Sequence, residues 1–316
     1  MAKGDPKVVY IGDTHIGKKF KTGVPLNRLG EREELIFKKF EEQLNQDADI
    51  IVHLGDLFDR PVVSYDDLYR TIQLIEEAYN KHPSKHFFFI EGNHDLSHDS
   101  EKVSAFDIAA KILESHSNIQ FFSRKPGMYS MGNVYLAFVP YRCNQDLNTG
   151  VLFNPNAEAN RKEITLCGHF DEPFNHGLFS QFKEVRTGHI HIPRVENNVF
   201  VQGSIIPMNF AEDPEGKLYR TMTLEEFMTE MEEDPNAEWQ DQCIRLKLKP
   251  DEVLPEGINC RQLISMAEDI AEEEKVEEVS FEDFNIETLF HEALDDLGMF
   301  DIFYNRFLTV KLEQGI

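Results

Sequence analysis

The sequence predicts an α/β domain of mixed β-sheets flanked by helices, followed by a smaller, acidic α+β region. Three observations lead there. Over the first two-thirds of the 316 residues, short apolar runs alternate with stretches of helical periodicity. Nearly every apolar run in that part stops at a glycine followed by Asp, Asn or His. From residue 221 onward the chain carries 26 acidic and 7 basic residues, a net −19 of its total −25. The division is placed after residue 224, giving a main domain at 1–224 and a C-terminal capping region at 225–316.

KVVYIG (7–12) reads as a buried strand. Residues 31–45 set Leu35, Ile36, Phe37, Phe40 and Leu44 among charges, the single apolar face of a helix. DIIVHLG (49–55) is a second strand. SYDDLYRTIQLIEEAYN (64–80) is a helix with Ser64 as its N-cap. HFFFIEG (86–92) is a third strand. VYLAFVPY (134–141), ITLCG (164–168), EVRTG (184–188), NVFVQG (198–203) and LYRTMTL (218–224) continue the series. Beyond 225 the pattern is mostly helical, with one strand, IRLKLK (244–249), between connecting loops at 233–241 and 249–257.

A hydrophobic content of 41% supports a substantial core. No run approaches the ~20 apolar residues of a membrane span. Asp5 and Pro6 precede the first apolar run, which argues against a secretory leader. Cys143, Cys167, Cys243 and Cys260 form no CxxC pair, so a reduced, cytoplasmic protein without a thiolate metal site is expected. The acidic balance argues against a free-standing nucleic-acid binder, because such a surface repels phosphate backbones.

The strand ends carry the chemistry. They read GDTH (Asp13, His15), GDLFD (Asp56, Asp59), GNHD (Asn93, His94, Asp95), GHF (His169) and GHIH (His189, His191). A lone GD is usually a turn, and a lone GH is often a core histidine. Five such ends in succession, each behind a strand, point instead to one cleft at the carboxyl ends of the strands. In the HxH pair, strand alternation would put both imidazoles on one face. Imidazoles, carboxylates and one amide suit a pair of divalent ions, with a carboxylate bridging them. Such a pair activates water and clamps a phosphoryl group. Neither a nucleophilic triad nor a GxxxxGK[ST] phosphate loop is present.

In order and spacing these motifs, spanning residues 11–191, resemble the calcineurin-like metallophosphoesterases. GHIH followed by VQGSIIPMNFAED (201–213) is similar to the SbcD-type DNA repair and recombination nucleases, phage recombination endonuclease subunits included. The resemblance implies the calcineurin-like sandwich and a ligand set. Asp13, His15 and His191 would hold one metal. Asn93, His169 and His189 would hold the other, and Asp56 would bridge them. His94 would act on the scissile phosphate, with Asp95 orienting its ring. The metal implied is Mn²⁺, with Mg²⁺, Fe²⁺ or Zn²⁺ as alternatives. The activity implied is 3′–5′ exonuclease action on duplex ends and endonuclease action on single strands or hairpins. The partners implied are DNA and an SMC-like coiled-coil ATPase of SbcC type, and a homodimer is compatible with this. The location implied is the cytoplasm, that of the host for a phage-encoded chain. Asp59-Arg60, also seen in protein phosphatases, keeps a phosphatase or small phosphodiesterase as the alternative.

Two segments remain. Between Thr14 and Gly30 lie Lys18, Lys19, Lys21 and Arg28 with no acid, a candidate DNA-contact loop beside the first metal motif. FNIETLFHEALDDLGMF (284–300) puts Ile286, Leu289, Phe290, Ala293, Leu294 and Leu297 on one helical stripe. Most single amphipathic helices pack on their own domain. This one follows the acidic run at 268–278 and resembles the C-terminal helices with which SbcD-type nucleases grip their ATPase. Ile286, Leu289, Phe290, Leu294 and Leu297 are the partner-binding candidates.

Overall fold

Val8–Ile11 (β1), Ile50–His53 (β2), His86–Ile90 (β3) and Ile119–Phe122 (β4) pair in parallel, in that order, as a four-stranded sheet. The computed structural model that shows this describes residues 5–97, 99, 102–144, 161–233 and 239–267. Helices α1 (Glu31–Leu44), α2 (Tyr65–Lys81) and α3 (Ala105–Leu113) lie along the chain between these strands. Their apolar stripes, Phe40 and Leu44 on α1, Ile72 and Ile75 on α2 and Phe106 and Ala109 on α3, form one core with Ile51, Phe87 and Phe89. Ser64 caps α2 as expected, its side chain accepting from Asp67 N at 3.1 Å.

A second sheet has six strands in the order β5-β6-β7-β8-β10-β9. They are β5 (Gly127–Met131), β6 (Val134–Val139), β7 (Ile164–Gly168), β8 (Glu184–Thr187), β9 (Arg194–Glu196) and β10 (Val199–Val201). Parallel pairs run from β6 to β10, and antiparallel pairs flank them at β5 and β9. The short helix α4 (His176–Phe179) precedes β8. The two sheets meet face to face. Ile50, Val52, Leu54, Phe88 and Ile90 of the first pack with Leu136, Phe138 and Cys167 of the second. Strands β2 and β3 are thus apolar on both faces, which is why HFFFI shows no alternation.

A third, all-parallel sheet joins β11 (Tyr219–Thr223), β12 (Cys243–Leu248) and β13 (Gln262–Ala267), backed by α5 (Leu224–Glu233). Its core holds Met222, Phe227, Trp239, Ile244 and Leu246. Strand β11, ahead of residue 225, pairs with β12, behind it.

Only one strand is expected beyond 225 from the sequence, and β13 corrects that expectation. QLISMA is short, and five of its six residues stay partly or fully exposed. It is recruited by β12 and by the loop after β1, where Leu263 N donates to Gly23 O at 2.9 Å. Strands β4, β5 and β9 and helix α3 are further additions to the expected elements, while α5 falls in the stretch expected to be helical. The caps of both helices are readable. Ser104 and Asp107 form a capping box on α3. Thr223 and Glu226 exchange the same two bonds at α5, at 2.8 and 3.1 Å. The stripe at 284–300, with Ile286, Leu289, Phe290, Leu294 and Leu297, lies outside the described residues. No helix among the described residues is long and apolar enough to cross a membrane.

Candidate metal centre

Backbone hydrogen bonds lock the loops that follow β1, β2 and β3 to one another. Thr14 N and His15 N both donate to Asp56 O, at 3.1 and 3.0 Å, and Ile16 N donates to Leu57 O at 3.0 Å. The Thr14 hydroxyl donates to Leu57 O at 2.9 Å and takes a bond from Nε2 of the fully buried His53 at 3.1 Å. In the third loop the buried Asp95 accepts from Leu57 N (3.1 Å), Phe58 N (2.9 Å) and Gly92 N (3.0 Å). Asp56 Oδ1 accepts from His94 N at 2.9 Å. From the second sheet, His189 N donates to both oxygens of Asp13, at 3.0 and 3.1 Å.

This interlocking dictates unusual backbone. His15, Asp56 and His189 have φ of 47°, 54° and 77°, a left-handed conformation that costs a non-glycine residue on the order of 1–3 kcal/mol. The glycines ahead of the ligands answer closeness as much as turning. A Cβ on Gly92 would lie 2.1 Å from Asp56 Oδ1, and one on Gly55 2.3 Å from the His169 ring.

The donors gather in two clusters. In the first, ligand atoms of Asp13, His15 and His191 lie within 4.8 Å of one another, and the two Nε2 atoms face each other at 3.0 Å. In the second, Asn93 Oδ1 is 2.9 Å from His169 Nε2 and 3.0 Å from His189 Nδ1. Asp56 Oδ2 stands between them, 3.6 Å from His15 Nε2 and 3.3 Å from His169 Nε2. All seven expected ligands are therefore brought together from five loops.

Partners on the far side of three of the four rings say which nitrogen is free. His169 Nδ1 donates to Leu54 O at 2.9 Å. His191 Nδ1 is 3.0 Å from Glu212 Oε1, and His189 Nε2 is 3.1 Å from Asp171 Oδ1. His15 Nδ1 is 3.6 Å from Asp59 Oδ1, beyond hydrogen-bond reach, so its far side does not fix its tautomer. The inward nitrogens of His169, His189 and His191 are thereby free to offer a lone pair to an ion. The facing Nε2 atoms of His15 and His191, at 3.0 Å, are within hydrogen-bond range of each other. Two nitrogens held at right angles by one ion with bonds near ~2.1 Å are spaced about that far apart. The donor set fits a pair of divalent ions. Electrostatics agree. Burial lifts Asp13 to about 6 against the pull of His169, a sign of negative charge awaiting compensation. Asp56 is also buried, but His169 overrides this and holds it below the usual carboxylate range. Burial opposes charge on His169, yet Asp56 raises it to about 9.

His94 is exposed at the mouth, its ring edge-on to His15 at 4.7 Å. Its Nδ1 donates to the Asp59 carbonyl at 2.7 Å, which leaves Nε2 free, and a ring nitrogen of His94 lies within 4.8 Å of ligand atoms of His15 and Asp56. Two expectations need correcting. Asp95 does not orient the His94 ring. Adjacent residues in this turn point apart, and both Asp95 oxygens are taken by backbone donors. Nor do His189 and His191 lie on a strand face. Strand β8 ends at Thr187, and the loop beyond it sends the two imidazoles to different clusters.

The basic loop is less free than its sequence suggests. Lys18 Nζ is 3.3 Å from Asp59 Oδ1, and Lys19 Nζ is 3.1 Å from Asp67 Oδ2. Arg28 makes a two-pronged pair with Glu31, at 2.9 and 2.6 Å, and its side chain is 10% exposed. Lys21 is exposed. Lys19 and Lys21 line an open groove with Arg32, Phe210, Tyr219 and Ile264. Sequence reasoning missed Asp59, Asp171 and Glu212 as partners of the ligand imidazoles. They sit on irregular loops with no periodicity, and only their closeness to the motifs hinted at them.

The family profile described as calcineurin-like phosphoesterase matches residues 6–202. The chain is similar to the SbcD subunit of the SbcCD nuclease of Staphylococcus saprophyticus, 24% identical over 259 residues. That match takes in 69% of this chain and 65% of that protein, so the chain spans just under two-thirds of the relative's length. Among solved structures, it is similar to a protein of unknown function from Aquifex aeolicus, with 13% identity and a TM-score of 0.29 over 63% of this chain and 89% of that one. It is also similar to a cold-active protein-tyrosine phosphatase of a psychrophilic Shewanella, with 14% identity and a TM-score of 0.30 over 64% and 72%.

Proposed function

We propose that this chain, which belongs to the calcineurin-like phosphoesterase family, is a dinuclear-metal DNA nuclease of SbcD type. One observation supports it most. Seven metal-suited donors converge from five loops, with the outer nitrogens of His169, His189 and His191 each directed at an oxygen. Asp13, His15 and His191 would hold one ion, Asn93, His169 and His189 the other, with Asp56 between them. Mn²⁺ is the proposed metal, since the mixed imidazole, carboxylate and amide set suits a borderline to hard ion. When bound, the pair would supply an activated water and neutralise the phosphoryl oxygens.

The chain's own residues do the rest. His94 keeps Nε2 free on a ring fixed by the Asp59 carbonyl. Protonated, it donates its proton to the 3′-oxygen released as the P–O3′ bond breaks. The proposed actions are 3′–5′ exonuclease on duplex ends and endonuclease on single strands or hairpins. Lys18, Lys19 and Lys21 would meet backbone phosphates at the mouth. Arg28, engaged by Glu31, is withdrawn from that set. The SbcD-type relative motivates a complex with an SMC-like ATPase of SbcC type in the cytoplasm. The C-terminal residues Ile286, Leu289, Phe290, Leu294 and Leu297 are its proposed contacts.

The test is cleavage of hairpin, blunt-duplex and circular single-stranded DNA with Mn²⁺ or Mg²⁺, with and without the ATPase. Mn²⁺-dependent cutting of all three is expected. Hydrolysis of phosphomonoesters with no cutting of any DNA would overturn the proposal. It would favour the metal-dependent phosphatase or small phosphodiesterase, a reading supported by Arg60, which lies exposed 3.5 Å from Asp59 at the mouth.

A further inference from the structure

His191 lies four residues beyond the end of β8, and a carboxylate fixes its ring. Glu212 Oε1 stands 3.0 Å from His191 Nδ1, and the Glu212 side chain is only 15% exposed. The same carboxylate is held in turn. Its Oε2 accepts from Met208 N at 2.7 Å, and the Asn209 amide donates to Oε1. A carboxylate gripped from behind in this way has little freedom to swing, so it sets both the tautomer and the direction of the imidazole.

The next residue faces the other way. Asp213, 8% exposed, accepts from Lys217 N (3.2 Å), Leu218 N (2.6 Å) and Tyr219 N (2.8 Å), the donors that lead into β11. The Tyr219 hydroxyl donates back to Met208 O at 3.1 Å and accepts from Arg32 Nη1 at 2.8 Å. Arg32 also donates to Gln262 Oε1 on β13 at 3.0 Å. Loop 208–213 therefore reaches the proposed ligand His191 through Glu212 and is tied to β11 at both of its ends, through Asp213 and through Met208 O.

We infer that Glu212 is a positioning residue for the first ion, acting through His191, and that Asp213 couples that ion to the three-stranded sheet. The inference rests on the ligand assignment proposed above. A shift of the sheet moves the Asp213 anchor, the loop turns about Met208, and Glu212 carries His191 with it. Among the described residues the second ion has no such link, because His169 is fixed by the Leu54 carbonyl within the sandwich and His189 Nε2 faces Asp171.

Mn²⁺ titration of the full chain, followed by bound-metal analysis and by the spin-coupled resonance of a manganese pair, tests this. The wild type should hold two ions. Glu212→Ala should weaken one of them by about 10–100-fold, the range for loss of such an outer partner. The other ion should change little, and the coupled signal should give way to that of an isolated ion. Glu212→Gln, which keeps an acceptor for the His191 N–H, should restore most of the loss. Asp213→Ala should weaken the same ion, while a melt in chelator reports whether the chain still folds. Equal weakening of both ions by Glu212→Ala, or none, overturns the positioning role. An Asp213→Ala protein that folds and binds both ions like the wild type overturns the coupling. A wild type that binds fewer than two ions overturns the ligand assignment and this inference with it.

Discussion

Replacing Asp95 with alanine should be a stability mutation first and a catalytic one second. The carboxylate is fully buried and accepts three backbone N–H bonds at 2.9 to 3.1 Å. Burial and the nearby Asp56 push its pKa up, while the three donors pull it down. All three donors aim at its oxygens, so the loops are built around this carboxyl group. Alanine leaves three donors with no acceptor and no nearby route to water. An orphaned buried donor costs about 1–3 kcal/mol. Because the loops can relax in part, a total of about 3–6 kcal/mol is expected. With a urea slope of ~3 kcal/mol/M, the unfolding midpoint should fall by about 1–2 M. The measurement is equilibrium denaturation in chelator, so that metal binding does not contribute. A midpoint within about 0.3 M of wild type, together with a large drop in turnover, would refute this.

Four other outcomes are expected. His94→Ala should keep both ions and lose about 10²–10⁴-fold in cleavage, the usual worth of an acid–base group; wild-type rates with metals bound would remove it from the chemistry. Asp56→Ala should lower occupancy of both ions at once, and elemental analysis finding two tightly held ions would exclude it as the bridge. Lys19→Gln with Lys21→Gln should weaken DNA binding and reduce the log–log salt slope by about 1.4–1.8, two phosphate contacts' worth. Lys18 is left in place because it holds Asp59. An unchanged slope would make these lysines bystanders. Deleting residues 280–316 should abolish association with the ATPase while sparing metal binding and basal cleavage, and co-purification of the truncated chain with the ATPase would exclude that segment as the contact.

What could be read in advance followed from how local each signal is. Strands β2 and β3 announced themselves because burial on both faces forces unbroken apolar runs. The ligand loops did so because close approach at Gly55 and Gly92 leaves no room for a side chain. The roles of Asp95 and Glu212 depend on contacts 37 and 21 residues away, which no local pattern encodes. Neighbourhood in sequence even misled, since Asp95 follows His94 yet serves Leu57 and Phe58. Strand β13 was hidden for a related reason. Its place as a strand comes from a partner strand and from Gly23, both distant in the chain.

The seven donors straddle both sheets of the sandwich. Asp13, His15, Asp56 and Asn93 come from the first, and His169, His189 and His191 from the second. No short piece of the chain holds a whole cluster, so ions recognise only the assembled pair of sheets. Mass action then makes free metal a thermodynamic variable of folding itself. An ion at a hundred times its dissociation constant adds about 2.7 kcal/mol to apparent stability, and two independent sites add about twice that. A melting temperature measured for this protein is consequently a point on a metal-activity curve. Starvation for the ion should lower the folded population as well as the rate of reaction, making abundance in the cell responsive to supply.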